Sequence, residues 1–137
     1  MFHLVYCSTT TQPFSDDELG VLLTRSRNWN IAHGITGFLL YNPPSFIQIL
    51  EGTESEVRKT FTRVLKDPRH HNIVPLIEET TDHREFADWS MAFRNLSNTS
   101  SLPEGYSEFL NTPFSGQEFR EHPDRCQKLL LAFKKLL

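Results

Sequence analysis

Ser45 to Gly52 reads SFIQILEG. With the period of two that a strand imposes, Phe46, Gln48 and Leu50 share one face, while Ile47, Ile49 and Glu51 share the other. Gln48 therefore stands in an apolar row. Buried without partners, its amide would cost on the order of 1–3 kcal/mol, so the sequence calls for a fixed polar partner, either a neighbouring group of the chain or a ligand. Just upstream, Gly34 to Tyr41, GITGFLLY, has the character of another strand, and Asn42-Pro43-Pro44 is a turn that joins the two as a hairpin.

Further outward, Phe2 to Ser8 alternates with Phe2, Leu4 and Tyr6 on one face, which suits a first strand. Ser15-Asp16-Asp17-Glu18 is a capping box, and Leu19, Leu22, Leu23, Ser26 and Asn30 follow as one helical stripe. Asn30 falls on the core side, where it either caps the helix end toward Gly34 or serves a ligand. Thr53-Glu54-Ser55-Glu56 repeats the capping signature, and the second helix should bury Val57, Thr60, Phe61, Val64 and Leu65 before Asp67-Pro68 ends it. Arg63 lies beside that stripe, as a surface residue with a snorkelling stem would. Arg69, His70 and His71 are expected in the next loop, and no Cys or acid stands at a metal-site spacing from the histidines. Ile73 to Ile77 is a fourth strand, at an edge or irregular because of Pro75. Thr80 to Asp88 is a charged connection, and Trp89 to Asn95 a fifth strand with Trp89, Met91 and Phe93 on one face.

The 137 residues, 38% hydrophobic and with eleven Phe, suffice for one core of ordinary size. The net charge of −3, with acids and bases interspersed, argues against a nucleic-acid surface. Apolar runs fall far short of the roughly 20 residues of a membrane span, and no signal-peptide pattern opens the chain. A cytoplasmic protein with reduced thiols at Cys7 and Cys126 is expected.

Strand, helix, strand, strand, helix, strand, strand suggests an α+β sandwich of the ferredoxin-like kind, a five-stranded mixed sheet with both helices on one face. In that topology the first and third strands are central neighbours, which sets Tyr6 beside Gln48 on the face toward the helices. Asn30 and Arg63 approach the same region. Four polar groups then converge between two helices on an apolar sheet face, an arrangement that suits a planar ligand with a polar edge.

LVYCS, GITGFLLY, FIQILEG, KDPRHH and FADWSMAFRN, in this order between Met1 and Asn95, resemble a BLUF domain, a blue-light sensor using flavin. The resemblance implies a non-covalent flavin between the helices, usually FAD, with FMN possible. It implies that Tyr6 matches the redox-active tyrosine, Gln48 the switching glutamine, and Asn30 the asparagine that bonds the flavin's carbonyl and imide edge. Arg63, Asp67, His70 and His71 match polar positions near the ring and ribityl chain, while Trp89 and Met91 match a fifth-strand pair next to the site. The chain departs from the family at Trp29, where many relatives have an asparagine, and so loses one possible contact to the ligand. A photoreceptor that is not an enzyme is implied. The alternatives are a flavin-dependent reductase, for which no nicotinamide-binding glycine signature is visible, and a ligand-free ferredoxin-like adaptor.

The sensor unit is thus expected over residues 1–95, with a linker and helical extension over 96–137. Helices are expected near Tyr106 to Leu110 and His122 to Leu137, the latter with Cys126, Leu129, Leu130, Phe133 and Leu137 as an apolar stripe. That helix should cover the second sheet face, at Val5, Cys7, Ile47 and Ile49, or form a subunit interface. With no effector segment after residue 96, the signal is expected to leave through a homo-oligomer or a downstream protein partner.

Overall fold

In a computed structural model, which describes residues 1–95, the chain runs β1 (Phe2–Thr10), α1 (Asp16–His33), β2 (Thr36–Asn42), β3 (Ser45–Gly52), α2 (Glu54–Leu65), β4 (His70–Thr80) and β5 (Ala92–Asn95). The strands form one sheet in the order β4-β1-β3-β2-β5. β1 pairs antiparallel with both β3 and β4, β2 pairs antiparallel with β3, and β5 runs parallel to β2. This is the ferredoxin-like α+β arrangement with a mixed sheet. β3 lies in the middle, and Tyr6 is directly opposite Gln48 across the β1–β3 pair.

Alternation decides which side chains meet the helices. Phe2, Leu4 and Tyr6 of β1, Leu39 and Tyr41 of β2, and Phe46 and Leu50 of β3 form one buried cluster with Leu19 and Leu23 of α1 and Val57 of α2. Ser15 closes the expected capping box: its hydroxyl accepts from the Glu18 amide, and Glu18 accepts from the Ser15 amide. On α2 only half of that motif forms, with Thr53 accepting from Glu56 at 3.4 Å. Gly34 ends α1 in the left-handed region, at φ 66°, and its amide donates to the Asn30 carbonyl.

Gly37 is required for a different reason. A Cβ there would run into the backbone oxygen of Ile49 and lie 3.5 Å from the Met91 methyl. Neither β3 nor β2 can move without breaking the ladder. Gly37→Ala is therefore expected to destabilise the fold by about 1–3 kcal/mol, as overpacking does, read as a lower urea midpoint.

Three expectations need correction. Leu65 is 50% exposed, because α2 stops there before its last turn can reach the sheet. His70 and His71 are not in a loop. They open β4, paired with Thr10 and Thr9, because ladder hydrogen bonds at an edge extend past the apolar run. The expected irregularity is present as register shifts between Val5 and Tyr6 and between Cys7 and Thr9, with Pro75 opposite Tyr6. Finally, β5 begins at Ala92 instead of Trp89. Trp89 is in a turn, its amide donating to the Phe86 carbonyl at 3.0 Å, so its ring leaves the Met91 row and is 42% exposed. The helices expected beyond residue 96 lie outside the described residues. No helix among the described residues is long and apolar enough to cross a membrane.

Candidate functional site

Between α1, α2 and the sheet lies a cavity of about 290 Å³, at the lower edge of the roughly 300–1,000 Å³ of small-molecule sites. Leu22, Leu39, Phe46, Leu50 and Val64 supply apolar wall, while Asn30, Gln48, Arg63, Asp67, Arg69 and His70 supply polar groups. A flat, largely apolar ring system with a polar edge fits this lining.

Tyr6 and Gln48 lie on its sheet side. The Tyr6 hydroxyl donates to Gln48 Oε1, and Gln48 Nε2 points at Met91 Sδ, 3.4 Å away. Both residues are buried. Burial pushes the Tyr6 phenol well above its ordinary value of 10.0, and the negative Asp67 pushes it further, so it is a proton donor at all physiological pH. Gln48 presents an acceptor to the phenol and a donor to a soft sulfur, which is a weak acceptor. Turned end for end, the same amide would reverse both roles.

Asn30 is 2% exposed, and its side chain donates to the Ser90 carbonyl at 2.7 Å. Arg27 donates to the Met91 carbonyl at 3.0 Å. α1 therefore holds the segment that brings Met91 to Gln48. His70 lines the cavity, with one ring nitrogen 2.8 Å from Ser8 Oγ and the other 2.9 Å from the Val64 carbonyl. His71 is exposed and does not line it. Asp67 is clamped by the Arg69 guanidinium at 2.5–3.1 Å, whose hydrogen bonds hold its carboxyl below the ordinary value.

Trp29, noted in the sequence only as a departure, joins the two helices. Its indole N–H donates to Thr60 Oγ1 at 2.9 Å, its ring stacks on His33 at 3.8 Å, and the Arg63 guanidinium lies 4.2 Å from its centroid. Arg63 thus reaches the expected region, but against an aromatic face.

Sequence reasoning missed Glu51. It is fully buried on the opposite sheet face, where its carboxylate accepts from the amides of Glu85 (2.5 Å) and Phe86 (2.8 Å) and from Thr36 Oγ1 (3.1 Å), and lies 3.0 Å from His3 Nε2. The available signal was an acid ending the apolar row Ile47, Ile49. Burial alone would raise its pKa, but the hydrogen bonds from His3, Glu85 and Phe86 outweigh that and hold it below its ordinary 4.5. A depressed folded-state pKa means that the unfolded chain binds the proton more readily. Glu51's contribution to stability is then complete above pH 4.5 and is lost as pH falls through the folded value. Urea midpoints should fall below pH 4.5 more steeply in the wild type than in Glu51→Gln.

Residues 1–92 match the family model "BLUF: Sensors of blue-light using FAD". The chain is 29% identical over 106 residues to the photoactivated adenylate cyclase subunit alpha of Euglena gracilis, an alignment covering 73% of this chain but only 10% of that protein. It superimposes on the dark-state structure of the BLUF protein BlrB with a TM-score of 0.83 at 28% identity, covering 99% of this chain and 96% of that one. Klebsiella pneumoniae BlrP1, solved with FMN and cyclic diGMP, matches with a TM-score of 0.65 at 34% identity over 71% of this chain and 26% of BlrP1.

Proposed function

The chain belongs to the BLUF family, the sensors of blue light using FAD, and we propose from that premise that it is a flavin photoreceptor whose light response is carried by Tyr6 and Gln48. The observation that supports this most directly is the buried Tyr6–Gln48 hydrogen bond beside a cavity of suitable lining, with the other end of the same amide on Met91. Asn30 and Gln48 would hold the polar edge of the ring. Arg63, Asp67 and His70 would line the margin where its side chain leaves; His71, outside the cavity, has no part in this.

A bound flavin supplies light absorption and, once excited, a strong oxidant. The remaining steps belong to the protein's own groups. Tyr6 can lose an electron while its proton moves along an existing hydrogen bond to Gln48 Oε1. Gln48 then rotates or tautomerises, and because its far end rests on a weak acceptor, leaving Met91 costs little. When the electron and proton return to Tyr6, the charges are restored but the hydrogen bonds are not. The outcome is a spectral shift without a covalent adduct, and no substrate is consumed.

FAD is the proposed ligand, with FMN the alternative, since the family description names one and the BlrP1 structure holds the other. Residues 1–95 would form the sensor and 96–137 its extension, with the signal passed in the cytoplasm to a second copy or a partner protein. The test is to purify the protein, load it with FAD or FMN, and illuminate it at blue wavelengths. A flavin band that moves to the red, keeps its intensity and returns in the dark is expected. A band that only bleaches, or steady consumption of a nicotinamide donor, would overturn the reading, and the second result would favour a reductase.

A further inference from the structure

β4 and β5 lie at opposite edges of the sheet, so the connection between Thr80 and Ala92 has to cross it. It crosses on the face away from α1 and α2. His83 gives its carbonyl to His3 of β1 at 3.1 Å, Phe86 stacks on Phe38 of β2 at 5.4 Å, and Arg84 donates to Thr36 of β2 at 2.8 Å and to the Gly34 carbonyl at 2.9 Å. At midspan, under the central strand, Glu51 takes the amides of Glu85 and Phe86. An apolar residue there would deprive one buried and one half-buried N–H group of that acceptor.

The chain then turns and emerges on the other side. Gly37 donates to the Trp89 carbonyl at 3.1 Å, Asn30 to that of Ser90, Arg27 to that of Met91, and Gln48 to the Met91 sulfur. Only Ala87, Asp88 and Trp89 separate the residues that Glu51 fixes from those that touch Asn30 and Gln48. So short a tether leaves no room for slip. Gln48 and Glu51 are also on one strand, three positions apart and on opposite faces.

We infer that Glu51 is a positioning residue for the site: by fixing Glu85 and Phe86 beneath the sheet, it sets where Ser90 and Met91 meet Asn30 and Gln48 above it. Because Met91 is the partner that Gln48 leaves and regains, this placement sets how fast the light-driven arrangement relaxes. The kinetic part rests on the photoreceptor reading; the placement does not.

The experiment compares full-length wild type, Glu51→Gln and Leu19→Ala, loaded with flavin. Leu19 is a core residue of α1 that does not line the cavity, and its truncation lowers stability without touching the crossing segment. Dark recovery is followed after a blue pulse, and amide hydrogen exchange is followed in protein kept dark. For Glu51→Gln, recovery is expected to change roughly fivefold or more, the size of an ordinary coupling between sites, with faster exchange at Trp89 to Ala92. Leu19→Ala should lower the urea midpoint and leave recovery near the wild-type rate. If Glu51→Gln keeps wild-type recovery and wild-type exchange at those residues while losing only global stability, the inference is overturned. Should the wild type give no light-induced shift, the photoreceptor reading fails, and the dark exchange alone decides whether Glu51 positions the segment. Should Glu51→Gln not fold, Glu51→Asp, which keeps the carboxylate but shortens its reach to the Glu85 and Phe86 amides, takes its place. The same changes at smaller size are expected, and wild-type behaviour overturns the inference.

Discussion

Tyr6→Phe should retain flavin and lose the light-induced red shift entirely. The substitution keeps the ring that packs 5.4 Å from Phe61 and removes one oxygen. With that oxygen go the proposed source of the electron and proton and the donor that orients Gln48 Oε1. No neighbour replaces it. Tyr41 is also buried, but it is spent on the other end of the cluster, where its hydroxyl accepts from the Phe14 amide at 3.1 Å. Tyr41→Phe is thus the control, expected to cycle normally at a stability cost of about 1 kcal/mol for one hydrogen bond. The pair separates loss of a phenol in general from loss of this phenol. Flavin content is read by absorbance after gel filtration and the photocycle by difference absorption. A normal cycle in Tyr6→Phe would remove Tyr6 from the mechanism.

Glu51→Ala should be among the most damaging single substitutions in the described residues, with a loss of about 1–3 kcal/mol for each backbone amide deprived of its carboxylate acceptor. The deletion leaves the amides of Glu85 and Phe86 without this acceptor and His3 Nε2 without its carboxylate. Against a total stability of roughly 5–15 kcal/mol, that is a large share. Urea unfolding at pH 7 measures it. A loss below about 1 kcal/mol would mean that water replaces the carboxylate and that the segment's other contacts, such as those of Arg84 and Phe86, suffice to hold it.

These two residues mark how far the sequence can be read. Tyr6 and Gln48 were legible because each is a polar group in an apolar row, and because the strand order that makes them neighbours follows from short connections and the crossover rule. Glu51 stood in a row of the same kind, yet as the last acid before a glycine it looked like a strand end. Its importance depends on where a non-local segment crosses the sheet, which no local pattern encodes. Asn30 shows the same limit. Helical spacing placed it on the buried stripe, but its side-chain partner, Ser90, is sixty residues away. The start of β5 was misplaced for a related reason. Trp89-Ser90-Met91 alternates like a strand, but the turn from Phe86 and the bonds to Gly37, Asn30 and Arg27 leave pairing with β2 to begin only at Ala92. Met91 consequently faces Gln48, and Trp89 faces outward. His70 and His71 were assigned to a loop because polar residues carry no burial pattern; an edge strand, satisfied by backbone bonds on one side, does not need one.

Trp29 adds a feature particular to this chain. A residue that replaces a common asparagine also ties α1 to α2 through Thr60 and offers its face to Arg63. Part of what is lost as a polar contact is thus regained as wall.

The central claim is that one amide, Gln48, has two stable arrangements that light exchanges. It is tested most directly by light-minus-dark infrared difference spectra of protein containing glutamine labelled with carbon-13 at the side-chain carbonyl. The account predicts an isotope-sensitive band that appears on illumination, decays at the rate of the visible red shift, and is missing in Gln48→Ala. A visible red shift unaccompanied by any isotope-sensitive band would contradict it.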